Sequence, residues 1–135
     1  MDRIKKRILI AEDTYSWQRF HIDLLRKYDN FEIELFVADS ARQALDFVYE
    51  NINNPFDLVF TDLQMESDFL PKMAGEWFVE QLLSFDKYKK IPIVIVSAAY
   101  NISFIADNLG VNYLSKRTLI NSPDSYYFLL DEKLL

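Results

Sequence analysis

The chain has 135 residues, half of them hydrophobic, with a formal net charge of −6 at neutral pH and no cysteine. This length fits one domain that buries roughly 70% of its unfolded surface, and the composition argues against disorder. The negative charge gives no footprint for nucleic acid or anionic membranes, and without cysteine there is no disulfide or thiolate metal site. No signal peptide is visible, and the longest apolar stretch is far short of the roughly 20 residues that span a bilayer. We therefore expect a soluble cytoplasmic protein.

Strand-like and helical patterns alternate along the chain. Short apolar runs predict strands at 7–11, 32–38, 57–61, 91–96 and 111–115, and helical spacing predicts helices at 15–28, 41–50, 75–85, 102–109 and 123–134. The capping box that begins at Ser40, the glycine at Gly110 and the proline at Pro123 mark helix ends. Five strands in strict alternation with five helices predict an α/β fold whose parallel sheet is covered on both faces.

Polar residues stand where four of the predicted strands end. They are Glu12 and Asp13, Asp62, Ser97, and Lys116. The carboxyl ends of the strands of an open parallel sheet gather in one crevice, where ligands bind. The sequence therefore predicts that three carboxylates, a hydroxyl and an ammonium group meet at this edge. Such a set can bind a divalent cation and a phosphoryl group.

Magnesium prefers hard oxygen ligands and keeps several waters. Asp13 and Asp62 can bind it directly, Glu12 through water, and the backbone carbonyl of Gln64 is a further oxygen. A carboxylate can also attack phosphorus and form an aspartyl phosphate, provided that nearby positive charge offsets the charge of the phosphoryl group. Lys116 supplies such a charge and also offsets the repulsion among the acids.

In this order, the residues resemble the receiver domain of bacterial two-component response regulators. The matching segments are ILIAED at 8–13, DLVFTDLQM at 57–65, IVIVSA at 93–98 and NYLSK at 112–116, and the resemblance covers essentially the whole chain. It implies a flavodoxin-like, doubly wound five-stranded parallel sheet in the order 2-1-3-4-5, with five helices in a three-layer α/β/α arrangement. It also implies a single receiver domain over 1–135 without an output domain, although a receiver cut from a hybrid kinase would look the same.

The resemblance implies a role for each site residue. Asp62 is the phosphoacceptor, Glu12 and Asp13 hold Mg²⁺ together with Asp62 and the Gln64 carbonyl, Ser97 and Lys116 bind the phosphoryl group, and Tyr113 is the switch aromatic. The expected partners are a sensor histidine kinase or histidine phosphotransfer protein and a downstream protein, with no direct contact to nucleic acid or membrane. Such a protein is not a turnover enzyme on small substrates.

Several residues also allow a purely structural interpretation. Tyr113 could be an ordinary core residue instead of a switch. His21, the only histidine, is expected to be a surface or half-buried residue, and Trp17 and Trp77 are expected to pack rather than to bind. Asp57 begins its predicted strand, so it is expected at the opposite end of the sheet as a turn residue.

The chain departs from the family beside the site. Glu66 stands where the family usually has proline, and Gly75 comes late, so 66–73 is predicted to be an insertion that gates the site, contacts a partner or has no role. The fourth helix is short, and Arg117 replaces the usual proline after the lysine. Two other functions stay open: an unphosphorylated pseudo-receiver that binds partners constitutively, and a haloacid-dehalogenase-type phosphatase. The phosphatase is disfavoured because its general acid would be Gln64.

Overall fold

The computed structural model describes residues 3–65 and 73–135. The predicted insertion at 66–73 therefore lies outside the described residues, except for Met73. The elements follow in this order: β1 Lys5–Ala11, α1 Tyr15–Arg26, β2 Glu32–Ala38, α2 Ala41–Glu50, β3 Leu58–Thr61, α3 Ala74–Leu83, a 3₁₀ turn Asp86–Tyr88, β4 Ile93–Ser97, α4 Ile102–Leu109, β5 Asn112–Ser115, α5 Lys116–Asn121 and α6 Asp124–Leu134.

The five strands form one sheet in the order β2-β1-β3-β4-β5, and every neighbouring pair is parallel. The predicted fold class and strand order are confirmed. β3 and β4 are buried along their whole length, whereas the edge strands β2 and β5 are mostly half-buried. This difference follows from the layered architecture, because helices cover both faces of the central strands.

Alternate residues of each strand point to opposite faces of the sheet, so the core is split in two. On one face, Leu9, Val59 and Ile95 pack with α2, α3 and α4. On the other face, Ile10, Phe60 and Val96 pack with α1, α5 and α6. These two cores hold the strand ends in fixed positions relative to one another.

Helix termini follow the local sequence signals. The Ser40 Oγ atom accepts a hydrogen bond from the Gln43 N–H at 3.0 Å, and the Gln43 side chain accepts one from the Asp39 N–H at 2.7 Å. Gly110 ends α4 with φ of +73°, and its N–H donates to the Asp107 carbonyl at 3.2 Å. The predicted caps at Ser40 and Gly110 are therefore present. Glycine suits the second position because it adopts the left-handed conformation without strain.

The described residues contain six α-helices and a 3₁₀ turn, so the expectation of five helices was wrong. The additional helix is α5, which begins directly at Lys116. The Ser115 Oγ atom accepts from the Arg117 N–H at 3.2 Å and caps this helix. A helix of 6 residues has little stability in isolation, but Leu119 is fully buried and anchors it to the core.

Candidate functional site

The end of β1 places the first two acids. The Glu12 N–H donates to the Ala38 carbonyl at 2.9 Å, which extends the ladder to β2 by one residue. The Glu12 carbonyl accepts from the Gln18 side chain at 2.6 Å, and its Oε2 atom accepts from the Thr14 N–H at 3.1 Å. Glu12 is 1% exposed, whereas Asp13 is only half-buried. One acid is thus fixed inside the site, and the other faces its entrance.

Asp62 follows β3 directly and is held on both sides. Its N–H donates to the Ala11 carbonyl at 2.9 Å, which aligns it with the end of β1. Its Oδ1 atom accepts from the Leu63 N–H at 2.7 Å, and its Oδ2 atom accepts from the Lys116 ammonium at 2.9 Å. Asp62 is 6% exposed. The two carboxylate oxygens therefore have different partners: one has a fixed backbone donor, and the other has a cation on a flexible side chain.

Lys116 reaches into the site from the first position of α5. Its ammonium lies 2.9 Å from Asp62 Oδ2 and 2.7 Å from Glu12 Oε1, and the second contact is an ion pair outside hydrogen-bond direction. Burial lowers the pKa of Lys116, but its contacts with Glu12 and Asp62 outweigh that effect and raise this pKa above the ordinary lysine value. Burial raises the pKa of Glu12, against the opposing contact with Lys116. The lysine is therefore charged at neutral pH.

The described residues include one cluster of acids that could hold a metal ion. Carboxylate oxygens of Glu12, Asp13 and Asp62 all lie within 4.8 Å of one another. Because one ammonium group faces three carboxylates, the ionised site has a formal charge of −2, which a divalent cation would neutralise. Hard oxygen donors of this kind suit Mg²⁺ or Mn²⁺. Gln64 is exposed, and its backbone N–H donates to Asp62 Oδ1 at 3.4 Å, so its backbone lies at the same edge.

Ser97 ends β4, and its partner on β5 is Ser115, the residue before Lys116. The Ser97 hydroxyl accepts from the Ala99 N–H at 3.1 Å, and the residue is 1% exposed. The hydroxyl proton is not used in that bond. Sheet pairing thus brings the predicted hydroxyl and ammonium groups to neighbouring strand ends.

Tyr113 lies two residues before Ser115 on the edge strand β5. It is 42% exposed and lines an open cavity of about 490 Å³ together with Phe128 of α6. The interpretation of Tyr113 as an ordinary core residue was therefore wrong. An exposed aromatic on an edge strand has space to change its rotamer, which the switch role requires.

Gly75 is part of the architecture of the site. Its N–H donates to the Leu63 carbonyl at 3.1 Å, and a Cβ atom at this position would lie 1.8 Å from the Asp62 carbonyl oxygen. The first turn of α3 can approach the end of β3 this closely only at a glycine. The sequence indicated a helix start at Gly75 but gave no sign of this contact.

His21 is structural, but the expected surface or half-buried position was wrong. It is 1% exposed on the inner face of α1, with Nδ1 2.8 Å from the Tyr126 hydroxyl. Its ring centroid lies 5.2 Å from that of Phe60. Burial, aided by the positive charge of Lys116, lowers the pKa of His21 to about 3. The histidine is neutral at physiological pH and completes an aromatic core.

Asp57 lies at the far end of the sheet, as expected. Its N–H donates to the Arg7 carbonyl at 2.7 Å, and its carboxylate accepts from the Arg7 N–H at 2.7 Å. This acid therefore belongs to the opposite edge.

Among the residues that the structure describes, no helix is long and apolar enough to cross a membrane.

Comparisons with known proteins agree with this fold. The family described as the response regulator receiver domain matches residues 8–118. Hybrid signal transduction histidine kinase D of Dictyostelium discoideum is 28% identical over 120 residues, which are 87% of this chain but 7% of the kinase. The chain therefore corresponds to a small part of that relative.

Two solved structures are similar over most of the chain. The Mn²⁺-bound form of response regulator Rcp1 has a TM-score of 0.68 and 26% identity, covering 82% of this chain and 81% of the other. The phosphorylated cyanobacterial phytochrome response regulator RcpA has a TM-score of 0.69 and 25% identity, covering 83% and 81%. The resemblance inferred from the strand-end residues is confirmed. The chain belongs to the response regulator receiver domain family.

Proposed function

We propose that Asp62 accepts a phosphoryl group from a phosphohistidine of a sensor histidine kinase or histidine phosphotransfer protein. One observation carries this proposal: the buried Asp62 carboxylate lies between a backbone N–H and the Lys116 ammonium, within a cluster of three acids. Similarity to part of a hybrid histidine kinase and to a phosphorylated response regulator supports it. Phosphorylation then changes the affinity for a protein partner, or the group is passed on.

The chemical step is a displacement at phosphorus. An Asp62 carboxylate oxygen forms the new P–O bond while the P–N bond to the donor imidazole breaks, and the imidazole leaves with the electron pair. Lys116, already 2.9 Å from Asp62 Oδ2, pairs with the incoming phosphoryl oxygens. The Ser97 hydroxyl can donate its unused proton to the phosphoryl group. The Leu63 N–H continues to hold the other carboxylate oxygen and so fixes the orientation of the acceptor.

Magnesium fits the donor set of this site. Asp13, Asp62 and the carbonyl of Gln64 would hold it, with Glu12 acting through water. When bound, the ion supplies positive charge that offsets the repulsion between the phosphoryl group and the acids. The Mn²⁺ found with response regulator Rcp1 supports a divalent cation here by analogy.

The output depends on a shift between two conformations. Tyr113, exposed on β5, is the proposed switch aromatic, and it would turn inward in the phosphorylated form. Moving a 1:99 mixture of two conformations to 99:1 requires about 5.5 kcal/mol of differential stabilisation. We propose no turnover of small substrates, because Gln64 lacks an acidic proton to donate to a leaving group. The cytoplasmic location and the stand-alone organisation stay predictions.

Phosphorylation of matched variants tests the proposal. Wild type, Asp62→Asn and Asp46→Asn are incubated with a candidate kinase or acetyl phosphate, with and without Mg²⁺, and analysed by intact-protein mass spectrometry. Asp46→Asn makes the same charge change on an exposed position of α2. Wild type and Asp46→Asn should gain one phosphoryl group only with the cation, and Asp62→Asn should gain none. Equal labelling of Asp62→Asn would show that another residue is the acceptor.

Beryllofluoride, a phosphoryl mimic, separates the proposal from the pseudo-receiver alternative. Binding at millimolar Mg²⁺ together with a changed partner affinity supports a phosphorylation switch. Absence of binding, with partner affinity unchanged in Asp62→Asn, would favour a constitutive interaction module.

A further inference from the structure

The Lys116 ammonium has an aromatic neighbour that the chemistry described above does not use. It lies 4.8 Å from the centroid of the Trp17 ring, over the face of the ring. The same ammonium lies 2.7 Å from Glu12 Oε1 and 2.9 Å from Asp62 Oδ2. We infer that Trp17 is a positioning residue: its ring holds Lys116 against the two acids and orients it for the phosphoryl group. This inference rests on the proposed phosphoryl transfer at Asp62.

Trp17 is linked by a backbone hydrogen bond to the segment that carries Glu12 and Asp13. It lies in the first turn of α1, and its backbone N–H donates to the carbonyl of Thr14, the N-cap residue, at 3.1 Å. Its ring packs against Phe20 with centroids 4.9 Å apart. Because Thr14 follows Glu12 and Asp13 directly, the ring is positioned by the same segment that carries the acids. It therefore defines where the ammonium lies relative to them.

The backbone of Lys116 supplies little of this precision. The residue opens a helix of 6 residues, and a lysine side chain has a flexible four-carbon stem and an ammonium that turns freely. Arg117 follows it, so no proline restricts the backbone after the lysine. Positioning must therefore come from the groups that contact the ammonium, which are the Glu12 and Asp62 carboxylates and the Trp17 ring.

An aromatic ring suits this position better than a polar side chain. A cation over a ring face is attracted by the electron density of the ring, and the interaction is stronger where water is excluded. The ring accepts no strong hydrogen bond, so it does not compete with Asp62 for an ammonium N–H. Trp17 and Lys116 also line an open cavity of about 330 Å³ with Ile120. A smaller side chain at position 17 would open the lysine to water from that cavity.

The alternative is that Trp17 only fills space. Three substitutions separate these roles: all of them reduce the apolar volume at position 17, but Trp17→Phe keeps an aromatic face, whereas Trp17→Leu and Trp17→Met do not. Trp77→Leu is the matched control, because Trp77 lies in α3, where its ring centroid is 6.0 Å from the Arg42 guanidinium.

The first measurement needs no phosphorylation. NMR of the Lys116 ε-methylene protons should show an upfield ring-current shift in wild type, Trp17→Phe and Trp77→Leu, which is lost in Trp17→Leu. Lys116→Met identifies the resonances. An unshifted wild-type signal, or equal signals in Trp17→Phe and Trp17→Leu, would show that the ring at position 17 does not hold the Lys116 side chain. If a thermal melt of Trp17→Leu shows no unfolding transition, this variant is not folded, and Trp17→Met takes its place.

The second measurement is the rate of phosphorylation by acetyl phosphate at saturating Mg²⁺. We expect Trp17→Leu to be slower by about tenfold, which lies within the range for a partly desolvated cation–ring contact, with Trp17→Phe close to wild type and Trp77→Leu unchanged. Equal rates in Trp17→Leu and Trp17→Phe would overturn the positioning role. If wild type itself is not phosphorylated, the proposed function fails, and the NMR result still decides whether the ring holds Lys116.

Discussion

The two ends of the parallel sheet each hold a cation among acids, but they differ in how completely the charges are matched. At the amino-terminal edge, the Arg7 guanidinium donates to the Asn51 side chain at 2.6 Å, to the Asn54 carbonyl, and to Glu34 at 3.4 Å. It also lies 5.1 Å from the ring centroids of Phe36 and Phe56. At the carboxyl-terminal edge, the single Lys116 ammonium is shared between Glu12 and Asp62.

The comparison distinguishes a structural network at the amino-terminal edge of the sheet from a candidate binding site at the carboxyl-terminal edge. At the amino-terminal edge, Lys5 and Arg7 both form ion pairs with Glu34, and the Asp57 carboxylate accepts from the backbone N–H of Arg7, so the two positive and two negative formal charges of these residues balance. The carboxyl-terminal edge keeps an excess of two negative charges. Buried charges without matching partners are costly, and a site that carries such an excess is suited to bind a cation. The balanced edge is suited to a structural role, and the unbalanced edge is suited to the proposed phosphoryl transfer.

The largest effect on stability is expected from substitution of Gly75, which packs against the carboxyl-terminal edge of the sheet. In Gly75→Ala, the new Cβ would lie 1.8 Å from the Asp62 carbonyl oxygen, so the backbone of α3 or that of Asp62 and Leu63 must move. We expect a loss of more than about 3 kcal/mol in the free energy of unfolding, as for severe overpacking, measured by urea denaturation. Phosphorylation of any folded fraction should also fall.

Gly110→Ala is the control for that substitution. Gly110 has φ of +73°, but a methyl group added there would have no neighbouring atom within 4 Å. Only backbone strain of about 1–2 kcal/mol is expected there. Equal losses in the two variants would show that the close approach at Gly75 does not determine its role.

The next test compares the two cations directly. Lys116→Met leaves Glu12 and Asp62 buried without a counter-charge, and we expect it to lower the free energy of unfolding by about 3 kcal/mol in the absence of divalent cations. Millimolar Mg²⁺ should restore part of this loss, because the metal then supplies the missing positive charge. Urea denaturation with and without Mg²⁺ measures both effects.

Arg7→Met at the opposite edge should behave differently. It removes hydrogen bonds from a half-buried network and should cost about 2 kcal/mol, with the same response to Mg²⁺ as wild type and unchanged phosphorylation. A loss in Arg7→Met that Mg²⁺ reverses, or a loss in Lys116→Met that Mg²⁺ does not change, would contradict the distinction between the edges.

The last effect depends on pH and comes from His21, which lies between the two edges in the core. Its pKa is about 3 in the folded protein, below the ordinary value near 6.5 of the unfolded chain. Between pH 3 and pH 6.5, His21 is protonated in the unfolded chain but neutral in the folded protein. The free energy of unfolding therefore decreases as the pH falls below about 6.5. At pH 5 this costs about 2 kcal/mol relative to pH 7.

His21→Gln keeps a polar partner for Tyr126 but does not titrate. Denaturation at pH 5 and pH 7 should therefore show a smaller decrease for His21→Gln than for wild type. The carboxylates contribute equally to both proteins and cancel in the comparison. If both proteins lose the same stability between these pH values, His21 is not the group responsible.

Much of the site was predictable because it depends on strand ends. Apolar runs predicted β3 and β5 within one residue, and the parallel topology then brought Asp62 and Lys116 to one edge. Helix α5 was missed, because a helix of 6 residues depends on the burial of Leu119 more than on its own pattern. The environment of His21 was missed for a similar reason, since its partner Tyr126 lies 105 residues away.

The sequence by itself determined the fold class, the strand order through its family resemblance, and the identity of the strand-end residues, because these depend on local patterns of apolar and polar residues. Only the tertiary structure decided which groups the Lys116 ammonium contacts, how closely Gly75 approaches Asp62, and that the Trp17 ring lies against the lysine. These contacts join segments far apart in the chain, so their geometry follows from how the helices pack on the sheet. The membership of the candidate site could therefore be predicted from residue types, whereas the positions of its side chains depended on packing.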